Sequence, residues 1–273
     1  MLSMILSLSL ALPQPASAHL VGKGVVPLFR SAPSEKGYDP FSLEQATAGQ
    51  NSDAAIVAAV KRALSGQSDL RRLVVSADGS EVTLTGRVPT LWLKMDAVKR
   101  TLKVEGVKSI KSNIELSKGE SDTNLAVALG RAIDGYTYYT VFDYIDAVIR
   151  QGVVTLMGFT TPDRDKSEEI ADEVAKVRGV QEIRNQIMTL PTSKGDDDIR
   201  ASLYSRITSS EHFENVPIDR RPPFHIVVDH GAVTIYGWVQ GEIEYRELES
   251  IARFTTGILR VNNNLKTFAK ARR

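Results

Sequence analysis

Apolar residues along the chain follow one pattern that is written three times. Each copy opens with an aspartate followed by apolar residues at offsets three, seven and eleven. These are Asp53 with Ile56, Val60 and Leu64; Asp122 with Leu125, Leu129 and Ile133; and Asp196 with Ile199, Leu203 and Ile207. Spacing by three and four predicts a helix that buries this stripe, and the aspartate reads as its N-cap. A short apolar run follows (Leu73-Val74-Val75, Ala147-Val148-Ile149, Ile226-Val227-Val228) and then a glycine-bracketed segment, 79–86, 152–158 and 231–237. Two strands are expected, joined by tight hairpins at Asp78-Gly79, Gln151-Gly152 and His230-Gly231, where glycine tolerates positive φ. A further glycine (Gly106, Gly179, Gly257) lies 20, 21 and 20 residues on, which leaves room for a second helix that it ends as a C-cap. Apolar residues one, four and eight places later (Val107, Ile110, Ile114; Val180, Ile183, Ile187; Ile258, Val261, Leu265) predict a last strand.

The predicted order is therefore α-β-β-α-β. A right-handed crossover through the second helix sets the last strand parallel to its partner. The fold class expected is α+β: three tandem modules, each a three-stranded mixed sheet with two helices on one face. Their bounds read as 52–117, 121–191 and 196–268, with short links at Ser117–Glu120 and Pro191–Gly195. Units of this size sit near the lower limit for a self-sufficient core, so neighbours are expected to pack on one another.

Two stretches fall outside the repeat. Residues 1–18 form a short apolar run ending in Ala16-Ser17-Ala18, which reads as a secretory signal cleaved after Ala18, although no Lys or Arg precedes it. Residues 19–51, punctuated by glycine and proline, read as a flexible N-terminal arm.

Composition adds mostly exclusions. The chain has 273 residues and no cysteine, which rules out disulfides, thiolate metal sites and a Cys nucleophile. P-loop, G-x-S-x-G and H-E-x-x-H signatures are missing, so no enzyme class is indicated. The net charge of +1 hides an uneven distribution. Residues 52–116 hold 11 basic against 7 acidic residues, residues 121–190 hold 7 against 11, and residues 196–268 hold 8 against 11.

The segments G-x-V-T-L-x-G, then a helix, then Gly-Val/Ile-x-x-Ile/Val-x-Asn resemble the BON domain, a module of bacterial osmotic-shock and outer-membrane-associated periplasmic proteins. Asn185 and Asn263 hold the last position of that motif, while the first copy has Ser112 there and Asn113 one place later. The third copy departs most, with an inserted loop at 211–223. The resemblance covers roughly residues 52–268. It implies a periplasmic location and a non-enzymatic binding role, most often suggested to be on phospholipid membranes, in envelope maintenance or osmotic stress. It carries no catalytic residues and no cofactor.

Two surfaces stand out as candidates. On a wheel of the helix predicted over Leu91–Val104, Met95, Ala97, Val98, Thr101, Leu102 and Val104 form the core arc. Lys99, Arg100 and Lys103 fall opposite, with Trp92 among them, as docking onto anionic phospholipid requires. The alternative is that Trp92 covers the neighbouring unit or the N-terminal arm. Tyr136, Tyr138, Tyr139, Phe142 and Tyr144 cluster within nine residues. They either fill a seam between units or form a surface for envelope proteins in a holdase-like role, with glycan stacking as a further alternative. Nucleic acid is not expected on either surface. The histidines of the third unit and Asp196-Asp197-Asp198 read as turn and helix-terminus chemistry, with no metal expected.

Overall fold

In a computed structural model of the chain, residues 52–119, 121–219 and 222–268 are described. The readings of 1–18 and 19–51 lie outside them. Module one runs α1 (Asp53–Leu64), β1 (Val74–Asp78), β2 (Glu81–Val88), α2 (Leu91–Leu102) and β3 (Ser109–Leu116). Module two repeats the order as α3 (Asp122–Asp134), β4 (Tyr144–Arg150), β5 (Val153–Thr160), α4 (Lys166–Ala175) and β6 (Glu182–Thr189). Module three follows as α5 (Lys194–Thr208), β7 (Phe224–Asp229), β8 (Ala232–Val239), α6 (Glu242–Arg253) and β9 (Arg260–Thr267). Each sheet has three strands in sequence order, the first pair antiparallel and the second parallel, as the crossover rule requires.

The stripes predicted for the first helices are buried: Ile56, Val60 and Leu64 in α1, Leu125, Leu129 and Ile133 in α3, Ile199, Leu203 and Ile207 in α5. They pack on the V-T-L/I centres of the middle strands, where Val82 and Leu84, Val154 and Leu156, and Val233 and Ile235 are all shut off from solvent. The loop before β7 also anchors in module three, with Phe213 and Ile218 in its core.

Three local expectations need correcting. The caps of α1, α3 and α5 are Ser52, Ser121 and Ser193, whose side chains accept hydrogen bonds from Ala55, Asn124 and Asp196 backbone N–H groups. The aspartates lie inside the first turn, and two of them do a different job. Asp122 accepts from the N–H groups of Gln151 and Gly152 at 2.9 and 3.2 Å, and Asp196 from those of His230 and Gly231 at 2.9 and 2.8 Å. The carboxylate thus ties the first helix to the hairpin turn.

The module-one hairpin, moreover, turns one residue later than Asp78-Gly79. Asp78 pairs with Glu81, so Gly79-Ser80 is the turn, matching Gln151-Gly152 and His230-Gly231. In modules two and three both turn residues have positive φ (52° and 80°, 48° and 74°), the conformation that the strand twist favours and that strains Gln and His. In module one only the first of the pair, Gly79, is left-handed. Lastly, the second helices end before the glycines, at C-caps Lys103, Lys176 and Phe254.

Candidate functional site

Helix α2 is where module one departs from its siblings. Thr90 caps it, its hydroxyl accepting from Leu93 N–H at 3.4 Å. Leu93, Ala97 and Thr101, four apart, are its buried face. Met95 and Leu102, expected in the core arc, are instead 48% and 51% exposed. With Leu93, Ala97 and Thr101 facing the sheet, Met95 and Leu102 fall at the margin of the buried face and stay open to solvent.

There they line an open groove of about 580 Å³ formed by Leu91, Lys94, Met95, Val98, Lys99, Leu102, Lys103 and Ser112. Its walls are apolar, and three lysines, Lys94, Lys99 and Lys103, are among the residues that line it. At the same place the sister modules have polar ties between strand and helix. Ser112, Asn185 and Asn263 are register equivalents, opposite Leu84, Leu156 and Ile235. Asn185 Nδ2 donates to the Ser167 hydroxyl and carbonyl of α4 at 3.0 and 3.2 Å, and Asn263 Nδ2 to Glu249 of α6 at 3.5 Å. Ser112 is too short to span the gap.

Of the residues singled out from sequence, Lys99 and Lys103 belong to this groove. Arg100 turns aside and pairs with Asp96 at 2.7 Å. Trp92 is partly buried against the module-one core, and the Lys176 ammonium of module two lies 5.8 Å from its ring centroid. It therefore stands at the junction with module two rather than free on a basic face. Leu91 packs on the module-two core, and Gln181 Nε2 donates to the Ser117 carbonyl at 3.2 Å. Lys94, Met95, Val98 and Leu102 are the groove residues that sequence reasoning missed or misplaced. The signal was present in the i, i+3, i+7 spacing of Met95, Val98 and Leu102, which marks a second apolar stripe beside the buried one.

The aromatic cluster splits between two places. Tyr139 is buried and donates its hydroxyl to no distant partner; instead that oxygen accepts from Ile145 N–H at 3.2 Å. Its ring lies 5.1 Å from His225 of module three. Tyr144 stacks on Tyr236 of module three at 3.9 Å and 7°, Phe142 packs on the module-three core, and Ile226 N–H bonds the Val141 carbonyl at 2.7 Å. Burial raises the Tyr139 phenol well above its ordinary range and pushes Tyr144 to about 12. Tyr136 and Tyr138 stay outside this seam. The Tyr136 hydroxyl donates to Glu169, which also pairs with Arg164, and the Arg164 guanidinium covers the Tyr138 ring at 3.6 Å.

Beneath the seam, Lys166 and Asp143 form a buried pair, 1% and 0% exposed, at 3.0 Å. Lys166 also donates to Thr161 at 2.6 Å and meets Asp163 at 3.1 Å, and Asp143 accepts from the Thr140 and Thr161 N–H groups. Every charge here is answered, so the cluster holds the Thr140–Tyr144 loop in place and offers no idle acid or base. Removing one partner of such a pair typically costs about 3–5 kcal/mol. In module three, Asp197 pairs with Arg200 and Asp198 with Lys194, while Asp196 bonds the hairpin turn, so each residue of the acidic triplet has a partner.

A family model described as BON domain matches residues 52–118, 121–191 and 195–267. No curated protein matches the chain. Among solved structures, the C-terminal domain of CdsD, the structural protein of the Type III secretion system of Chlamydia trachomatis, is 11% identical. That match covers 78% of this chain and 97% of that one, with a TM-score of 0.21. The periplasmic domain of the T3SS inner membrane protein PrgH from S. typhimurium is 14% identical over 75% of this chain and 98% of that one, with a TM-score of 0.20.

Proposed function

Since the chain belongs to the BON domain family and carries three copies of the module in tandem, we propose that it is a non-enzymatic binding protein of the cell envelope. In this reading it is periplasmic and docks peripherally on anionic phospholipid through module one. One observation supports the docking surface above others: an apolar groove with Lys94, Lys99 and Lys103 among its lining residues, in the module with a net basic charge. Apolar side chains between cations match the boundary between headgroups and acyl chains, where each basic residue contributes about 1 kcal/mol. Arg100 is drawn off by Asp96 and Trp92 by module two, so Lys94, Lys99, Lys103, Met95 and Leu102 carry the surface. The runner-up, a holdase-like module that grips proteins through its aromatics, has less to work with, because Tyr139, Phe142 and Tyr144 are spent on the module seam.

Co-sedimentation with vesicles that differ only in anionic lipid content tests the reading. Binding should require the anionic lipid and weaken with salt. Replacing Lys94, Lys99 and Lys103 by Gln should lower affinity by about 100-fold, as roughly 3 kcal/mol implies. Thermal stability should hardly change. Trp emission should stay constant on binding, because neither Trp92 nor Trp238 lines the groove. Undiminished binding of the triple variant would remove the groove from the proposal.

A further inference from the structure

Module one and module two meet through a contact whose counterparts recur in module three, uncovered. Counted from the glycine after each second helix, Trp92 stands fourteen places before Gly106, and Ile243 stands fourteen before Gly257. Lys176 and Gln181 stand three before and two after Gly179; Phe254 and Leu259 hold those places around Gly257. In the chain, Trp92 is offered by module one, and the turn bearing Lys176 and Gln181 receives it together with the Ser117 carbonyl. Module three thus possesses the offering position and the receiving turn at once.

All three residues are large, apolar and open to solvent: Ile243 is 65% exposed, Phe254 74% and Leu259 84%. The seam with module two leaves them bare, because it is built from Tyr144, Tyr236, Val141 and Ile226. Scattered exposed apolar residues are ordinary. Here, however, they occupy the two halves of a contact that this same module type already makes, and they are apolar where the self-contained contact uses Lys and Gln. We propose that module three binds a second copy of this chain head to tail, Ile243 of one copy seating on the Phe254–Leu259 turn of the next. The two halves lie at different places on one module, so the contact is heterologous and extends to further copies. Module three is net acidic, so like-charge repulsion opposes the contact and added salt strengthens it. This is the reverse of the salt response expected for lipid docking.

The test is sedimentation velocity on the full chain without lipid, over a wide range of protein and salt concentrations. The weight-average mass should rise with both. Ile243→Glu and Phe254→Glu should each weaken association by at least about tenfold, a change of 1.4 kcal/mol, while circular dichroism confirms that both remain folded. An equimolar mixture of the two variants should recover a dimer, because one intact half survives on each. A wild-type mass that never rises, or single variants that associate as the wild type does, would overturn the proposal. A mixture that stays monomeric would overturn its head-to-tail form.

Discussion

Ser112, Asn185 and Asn263 occupy equivalent places in three parallel strands, but only the asparagines hydrogen-bond to their second helices. In modules two and three that bond ties the edge strand to the helix. In module one the tie is missing, and Ser112 lines the groove with Met95, Val98 and Leu102. Restoring the asparagine should therefore partly refill the groove. Ser112→Asn is expected to weaken binding to anionic vesicles several-fold and to change stability by less than about 1 kcal/mol, as for most surface substitutions. Calorimetry alongside co-sedimentation reads both. The sequence marks Ser112 as a departure from the repeat, yet it does not announce a groove. A wheel at 100° per residue assigns Met95 and Leu102 to the core because it cannot tell which part of a broad apolar arc the sheet covers. The sheet covers the part that holds Leu93, Ala97 and Thr101, which appears only once α2 is packed.

At the scale of elements, the aspartate that opens each repeat is a clasp between helix and hairpin in modules two and three. Asp196 is 2% exposed and answers two N–H groups, that of Gly231 buried and that of His230 half-buried. Asp196→Ala should cost module three about 2–4 kcal/mol, since hydrogen bonds to a charged group contribute about 1.5–3 kcal/mol each and the turn would lose both, the half-buried one to His230 counting for less. Asp53 is exposed, and its hairpin is the one with a different turn, so Asp53→Ala should stay within about 0.5 kcal/mol. Chemical denaturation of the two variants side by side measures the contrast. Equal losses would mean that the aspartates act as helix-terminus charges after all. The strands, their order and the first-helix stripes were all legible from periodicity and glycine spacing. The clasp was not, because its two ends are about thirty residues apart in sequence and serine had already taken the capping position beside it.

For the molecule as a whole, the two junctions differ in kind. The seam between modules two and three shares core residues and encloses His225, whose ring Nδ1 is buried without a hydrogen-bond partner. Burial holds this imidazole down at about pH 4, against the opposing pull of the Asp143 charge and the Thr140 and Asp143 carbonyls. The closed seam thus takes up this proton less readily than an opened one. Its stability is complete above pH 6.5 and falls by up to about 3 kcal/mol as pH drops toward 4. The carboxylates of Asp163 and Glu169, held below their ordinary values, give way only at lower pH. Thermal unfolding followed between pH 7 and pH 4.5 should show the loss, and His225→Leu should flatten it. An unchanged slope in that variant would assign the acid sensitivity elsewhere.

The junction between modules one and two is slighter, resting on Leu91, the Lys176–Trp92 contact and one hydrogen bond to the Ser117 carbonyl. Under tension the chain would yield there first, while modules two and three travelled together as a stiff arm. A first module held at a surface would then act as a pivot, and the remaining pair would sweep a defined radius around it. On the proposed docking, the slight junction would govern how widely modules two and three swing about the first.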